Sequence, residues 1–142
     1  MARVPKKVLE HFSQIPLFSA VSHKGLRSIV AAADEITVKP GKDLVREGEH
    51  GRHLYVVVEG SVKVVRGGRR VATLGPGDFF GELALVSGAP RTATVTTETD
   101  STLMVLDPRR FEVVMTEEPQ VAKAVMATLG DRLRLVERSI TH

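Results

Sequence analysis

The sequence predicts a mainly β protein with helices flanking the sheet. Three observations carry that expectation. Between Ile36 and Leu106, short β-branched runs alternate with turn signals at Gly41, Gly48 and Gly51, Gly60, Gly67-Gly68, Gly75 and Gly77, and Gly88. That rhythm belongs to many short antiparallel strands closing into a sandwich or barrel. Before and after this stretch, apolar residues recur every three or four positions, as on one face of a helix. The 142 residues, 42% of them hydrophobic, are enough for one domain with its own core. No internal repeat or low-complexity tract divides them.

The elements follow in order. Lys6 to Gln14 and Lys24 to Ala33 have helical apolar spacing, and Ser22 is placed to cap the second by accepting a backbone N–H. Strands occupy the stretch from Ile36 to Leu106. Within it, Arg66-Gly67-Gly68-Arg69 forms a hairpin turn between Val62-Lys63-Val64-Val65 and Arg70-Val71-Ala72-Thr73-Leu74, because the paired glycines accept the positive φ that such turns require. After Asp107-Pro108 the spacing is helical again, with a short helix through Met115 and a break at Pro119. A long last helix carries Val121, Val125, Leu129, Leu133, Val136 and Ile140 on one face. That stripe serves lid, core or dimer seam equally well.

Composition excludes several function classes. There is no cysteine, hence no disulfide, thiolate zinc site or cysteine nucleophile. Lys and Arg number 20 against 17 Asp and Glu, for a formal charge of +3, too mild a balance to argue for nucleic acid. No apolar run approaches the roughly 20 residues of a membrane helix, and the Met1 to Lys7 start lacks a signal-peptide core. A soluble, cytoplasmic protein is expected, with no membrane segment and no nucleic-acid-binding domain in this chain.

The stretch Phe80-Gly81-Glu82-Leu83-Ala84-Leu85, followed by Pro90-Arg91-Thr92-Ala93-Thr94-Val95, concentrates the chemistry. Gly81, lacking a Cβ, allows the backbone to approach a ligand closely. A helix beginning at Glu82 leaves N–H groups without intrahelical partners, and its positive dipole end attracts anions. Arg91 offers a planar fork of donors that matches a phosphate. Glu82 repels phosphate but accepts from a sugar hydroxyl. Phosphate, sugar hydroxyl and apolar neighbours together point to a nucleotide. Val71, Leu83 and Ala93 are the expected apolar wall for its base.

These residues also resemble the phosphate-binding cassette of cyclic nucleotide-binding domains, the modules of cAMP-dependent kinase regulatory subunits, catabolite activator proteins and cyclic nucleotide-gated channels. The resemblance is carried by Gly81 to Leu85, the Val86-Ser87-Gly88-Ala89 spacer and Pro90 to Thr94. It extends to Pro16-Leu17-Phe18, to Gly48-Glu49 and Gly51 before Leu54 to Gly60, and to Leu74 to Phe80. It spans about residues 15 to 136, and the wording is especially close to bacterial potassium-channel members. The resemblance implies an eight-stranded antiparallel β-jelly-roll (a double-stranded β-helix) over 35–107, with the cassette at 80–94. N-terminal helices would fill 1–34, and a C-terminal helix pair over 108–142 would act as a lid. It implies no enzyme activity and no cofactor. The ligand would be cAMP, with cGMP admissible, because a hydroxyl at Thr92 permits guanine recognition without demanding it. Phe80, Gly81, Leu83 and Ala84 would flank the ligand or offer backbone contacts, Glu82 would hold the ribose and Arg91 the cyclic phosphate. Arg132, by register with the channel-like members, would stack on the base; Leu133 and Val136 are the alternatives. The output would be movement of the last helix against an unidentified effector.

Two other readings compete. A regulator of the catabolite-activator type needs a DNA-reading helix-turn-helix after the long helix, which this sequence does not contain. A cupin-like metal enzyme is invited by His50 and His53 near Glu47 and Glu49, but the H-x-H run of such sites is missing and the only later histidine is the terminal His142. The cluster Arg66, Arg69 and Arg70 is most simply a solvated hairpin tip, or else a surface for an anionic partner.

Overall fold

The computed structural model describes the backbone of residues 5–140, with side chains except those of Leu83 and residues 131–140. Helix α1 (Lys6–Ser13), a 3-10 turn (Pro16–Phe18) and α2 (His23–Ala31) precede the sheets. Ser22 caps α2, its Oγ accepting from the Gly25 N–H at 3.1 Å. Strands β1 (Asp34–Val38), β2 (Asp43–Val45), β3 (Leu54–Glu59), β4 (Val62–Arg66), β5 (Arg69–Leu74) and β6 (Phe79–Phe80) lead to a short helix, α3 (Glu82–Ser87). Strands β7 (Thr94–Thr97) and β8 (Ser101–Leu106) follow, then α4 (Pro108–Glu117) and α5 (Pro119–Ile140).

The eight strands pair antiparallel in two four-stranded sheets, ordered β1-β8-β3-β6 and β2-β7-β4-β5. Strand β3 shows why the arrangement holds. Successive side chains on a strand point to opposite faces. Tyr55 and Val57 therefore turn into the roll interior with Val62, Val95 and Leu103. Leu54, Val56 and Val58 turn outward into a second core shared with the helices. A strand buried on both faces reads as a continuous apolar run, as Leu54 to Val58 does.

The second core fastens the helices to the roll. Phe12 stacks near Phe18 with centroids 6.4 Å apart, and Phe18 meets Phe111 of α4 at 5.7 Å. Val121 and Val125 bury the start of α5 in the same cluster. Asp107 caps α4, accepting from the Arg109 N–H at 2.6 Å, and Pro119 stands at the expected break.

Two local expectations shift, and packing sets one strand start. The fourth helix runs past Met115 to Glu117, because nothing breaks it before Glu118. Val86 and Ser87, read as spacer, complete α3, which Gly88 ends in a left-handed conformation. Strand β7 begins only at Thr94, since the backbone of Arg91 is committed to loop 48–51. The Gly48 N–H donates to the Arg91 carbonyl at 2.8 Å, and the Arg91 N–H donates to the Glu49 carbonyl at 2.9 Å.

Candidate ligand-binding site

The cassette occupies the mouth of the roll. Strand β6 ends at Phe80, whose ring stacks on Tyr55 at 4.8 Å with the planes 9° apart. The chain then reverses at Gly81 with φ 85°, the N-cap of α3. A Cβ there would lie 2.5 Å from the His53 carbonyl oxygen and 2.6 Å from Arg91 Nη1. Glycine is therefore required twice, for the left-handed backbone and for the close approach.

Arg91 is the electrostatic centre. It is only 8% exposed, and its Nη2 donates to the His53 carbonyl at 3.0 Å. Gly51 makes room beside it, since a Cβ there would stand 3.2 Å from Nε and Nη2. Burial lowers the Arg91 pKa from its ordinary value, and the Tyr55 hydroxyl acts in the opposite sense. Tyr55 is pushed up in turn, chiefly by burial. Arginine stays protonated through such shifts. Among the described residues no carboxylate forms an ion pair with Arg91, so a buried cation faces the cavity with a carbonyl as its protein partner.

That cavity has a volume of about 450 Å³ and is lined by Phe80, Gly81, Glu82, Ala84, Arg91, Thr92 and Ala93 from the cassette. Val45, Val64, Phe79 and Val95 supply apolar walls from the strands. Its size suits a small organic ligand. Glu82 belongs to the same wall, and its Oε1 accepts from the Leu17 N–H at 2.6 Å. The cassette is thereby tied to the 3-10 turn before α2.

One anticipated residue is placed differently. Val71, expected on the base wall, is 53% exposed and does not line the cavity. The reason is a β-bulge: Val64 pairs with Ala72 and Val65 with Arg70, leaving Val71 as the extra residue on β5. Bulged residues lose their place in the pleat, and Val64 supplies the wall from β4 instead. The side chains of Arg132 and of the alternatives Leu133 and Val136 lie outside the described residues, as does the Leu83 side chain.

Sequence reasoning missed other members. His53, taken as half of a metal pair, contributes its carbonyl to Arg91, while its ring faces Asp107 at 3.6 Å. His50 turns instead toward the Gly88 carbonyl, 3.5 Å from Nδ1. Arg66 also lines the cavity, and its Nε donates to the Thr92 carbonyl at 3.1 Å. A parity count along β4 was the available signal, since Val62, Val64 and Arg66 share a face.

An apolar cleft at the mouth of a β-roll, with a buried cation and a carboxylate on its wall, has the chemistry to receive a small anionic ligand. The comparisons make the class specific: the chain belongs to the cyclic nucleotide-binding domain family, whose model matches residues 35–118. A cyclic nucleotide-gated potassium channel from Mesorhizobium japonicum is 39% identical over 118 residues, covering 83% of this chain and 33% of the channel. The N-terminal domain of a transcriptional regulator from Streptomyces coelicolor superposes with a TM-score of 0.81 at 34% identity, over 91% of this chain and 93% of that one. The regulatory domain of Toxoplasma gondii PKA, crystallised with cAMP, gives a TM-score of 0.66 at 33% identity, over 79% of this chain and 46% of that one. The chain spans about a third of the length of the channel relatives it matches. Among the described residues no helix is long and apolar enough to cross a membrane.

Proposed function

We propose that residues 1–142 form one regulatory domain that binds a cyclic nucleotide, with cAMP as the expected ligand, and performs no chemistry on it. The observation that carries this reading is Arg91, buried and, among the described residues, without a carboxylate ion pair, beside the left-handed Gly81 turn. A buried charge is costly until it is paired, and a cyclic phosphate supplies the missing anion. Backbone N–H groups at the start of α3 would add donors, and Glu82 would accept from the ribose hydroxyl. The cAMP in the Toxoplasma co-crystal supports the choice of ligand.

The signal would leave through α5. Glu82 holds the 3-10 turn at Leu17, and Leu17 shares its core with Val121 and Val125 of α5. A ligand that moves Glu82 therefore acts on the seat of α5. A second cavity of about 810 Å³, lined by Leu85, Phe111, Met115, Val125 and Met126, gives α5 space to approach the cassette. Such a switch works only if the nucleotide binds one helix position better than the other.

Calorimetric titration with cAMP and cGMP, on the native chain and on Arg91→Ala, tests the binding. Micromolar affinity is expected, falling about 30-fold or more in the variant, as when one partner of a buried charge pair is removed. No binding to either nucleotide by the folded protein would end this reading. Limited proteolysis of α5 tests the lid, with slower cleavage expected at saturating nucleotide and unchanged cleavage refuting it. A second reading, the sensor part of a transcription regulator, is favoured by the Streptomyces likeness; it shares the same site and differs only in the effector.

A further inference from the structure

The hairpin between β4 and β5 is fixed to the cassette. Arg66 Nε donates to the Thr92 carbonyl at 3.1 Å. The Gly67 N–H donates to Glu47 Oε1 at 3.0 Å, and the Glu47 N–H donates to Thr94 Oγ1 at 3.0 Å. The hairpin's arginines consequently differ in role. Arg70 is neutralised by Glu98 and bonded to Thr73. Of the three, Arg66 alone lines the cavity.

An arginine has one N–H on Nε and four on its two terminal nitrogens. For Arg66 the first is spent on Thr92, which orients the group, and among the described residues the other four meet no acceptor. The side chain continues the face of β4 that presents Val64 to the cavity. It thus extends the apolar wall of Val64 and meets the cassette at Thr92.

On the reading that this cavity holds a cyclic nucleotide, we propose that Arg66 reads the edge of the base and favours a 6-oxopurine. Guanine presents two adjacent acceptors, O6 and N7, which match the terminal nitrogens of a guanidinium. Adenine presents N7 beside an amino group, a donor facing a donor. Arg66 therefore adds affinity for cGMP that cAMP does not receive, whichever of the two binds more tightly overall.

The test is titration of the native chain, Arg66→Ala and Arg66→Lys with cAMP, cGMP and 3′,5′-cyclic IMP, with thermal melts to show that the variants fold. Cyclic IMP keeps O6 and N7 and lacks the 2-amino group that Thr92 could contact. Arg66→Ala is expected to weaken cGMP and cyclic IMP about five- to twenty-fold, the lower part of the range for a bidentate base contact. Its effect on cAMP should be less than about twofold. Arg66→Lys keeps the charge without the fork and should resemble Arg66→Ala. Equal losses for all three nucleotides would mean an unselective field acting on the phosphate and would overturn the proposal. No loss, or a native chain that binds cAMP and neither 6-oxopurine, would overturn it as well. A native chain that binds none of the three refutes instead the underlying assignment of a cyclic nucleotide site.

Discussion

Replacing Gly81 by alanine separates the two demands placed on that position. The first is conformational. At φ 85° an L-residue is strained by roughly 1–2 kcal/mol. The second is contact, because the new Cβ would stand 2.5 Å from the His53 carbonyl oxygen and 2.6 Å from Arg91 Nη1. The arginine end can swing away, but the carbonyl belongs to the backbone entering β3 and has little freedom. Displacing Arg91 also breaks its bond to His53, and a hydrogen bond from a charged donor is worth about 1.5–3 kcal/mol. Gly81→Ala should therefore cost about 3–5 kcal/mol, a large part of a typical domain's stability. Gly41→Ala is the control: its φ of 81° is nearly the same, with nothing within 4 Å of a built Cβ, so only the conformational part applies. Urea unfolding of both variants measures the difference, provided the slopes agree with the native chain. If the two destabilisations agree within about 0.5 kcal/mol, the proposed crowding of Gly81 against Arg91 and His53 is wrong.

Glu82→Ala should cost about 1–3 kcal/mol by leaving the Leu17 N–H without its acceptor. Glu82→Gln, which keeps an oxygen there, should cost much less; equal unfolding midpoints for the two would show that the link to the 3-10 turn carries no stability. His11 offers a test by pH. Its pKa is lowered, first by burial and then by Lys7, with Glu10 opposing, and its buried Nδ1 has no partner among the described residues. The unfolded chain then binds the proton more readily, so stability falls as pH drops below about 6.5 and is level above it. His11→Gln should flatten that slope in unfolding midpoints measured between about pH 5 and pH 7, and an unchanged slope would assign it to other groups.

Much of the fold is legible in short stretches because local rules decide those elements. Ser22 caps α2 as its hydroxyl and position require, and Gly67-Gly68 turn the hairpin with φ of 58° and 78°. Pro119 separates α4 from α5 because proline lacks the N–H that a continuous helix needs. The cassette was legible for a similar reason: Gly81, Glu82 and the first turn of α3 are neighbours in sequence, so their geometry is set locally.

The remaining site members depend on packing between distant segments. The His53 carbonyl reaches Arg91 only because β3 and the cassette meet at the mouth of the roll. Val71 carries the composition of a wall residue, yet one bulge on β5 turned it to solvent and left the wall to Val64. Arg66 looked like a solvated hairpin tip until the pairing of β4 with β7 brought it to the Thr92 carbonyl. By itself, then, the sequence determined the class of the fold, the caps and turns, and the cassette with its cation, since each follows from residue chemistry within about a turn or a strand. Only the tertiary structure decided which face of each strand meets the ligand cavity and which backbone carbonyl receives the buried arginine. Register and bulges set those outcomes, and a one-residue shift in pairing sends a side chain to the other face at little cost in local propensity.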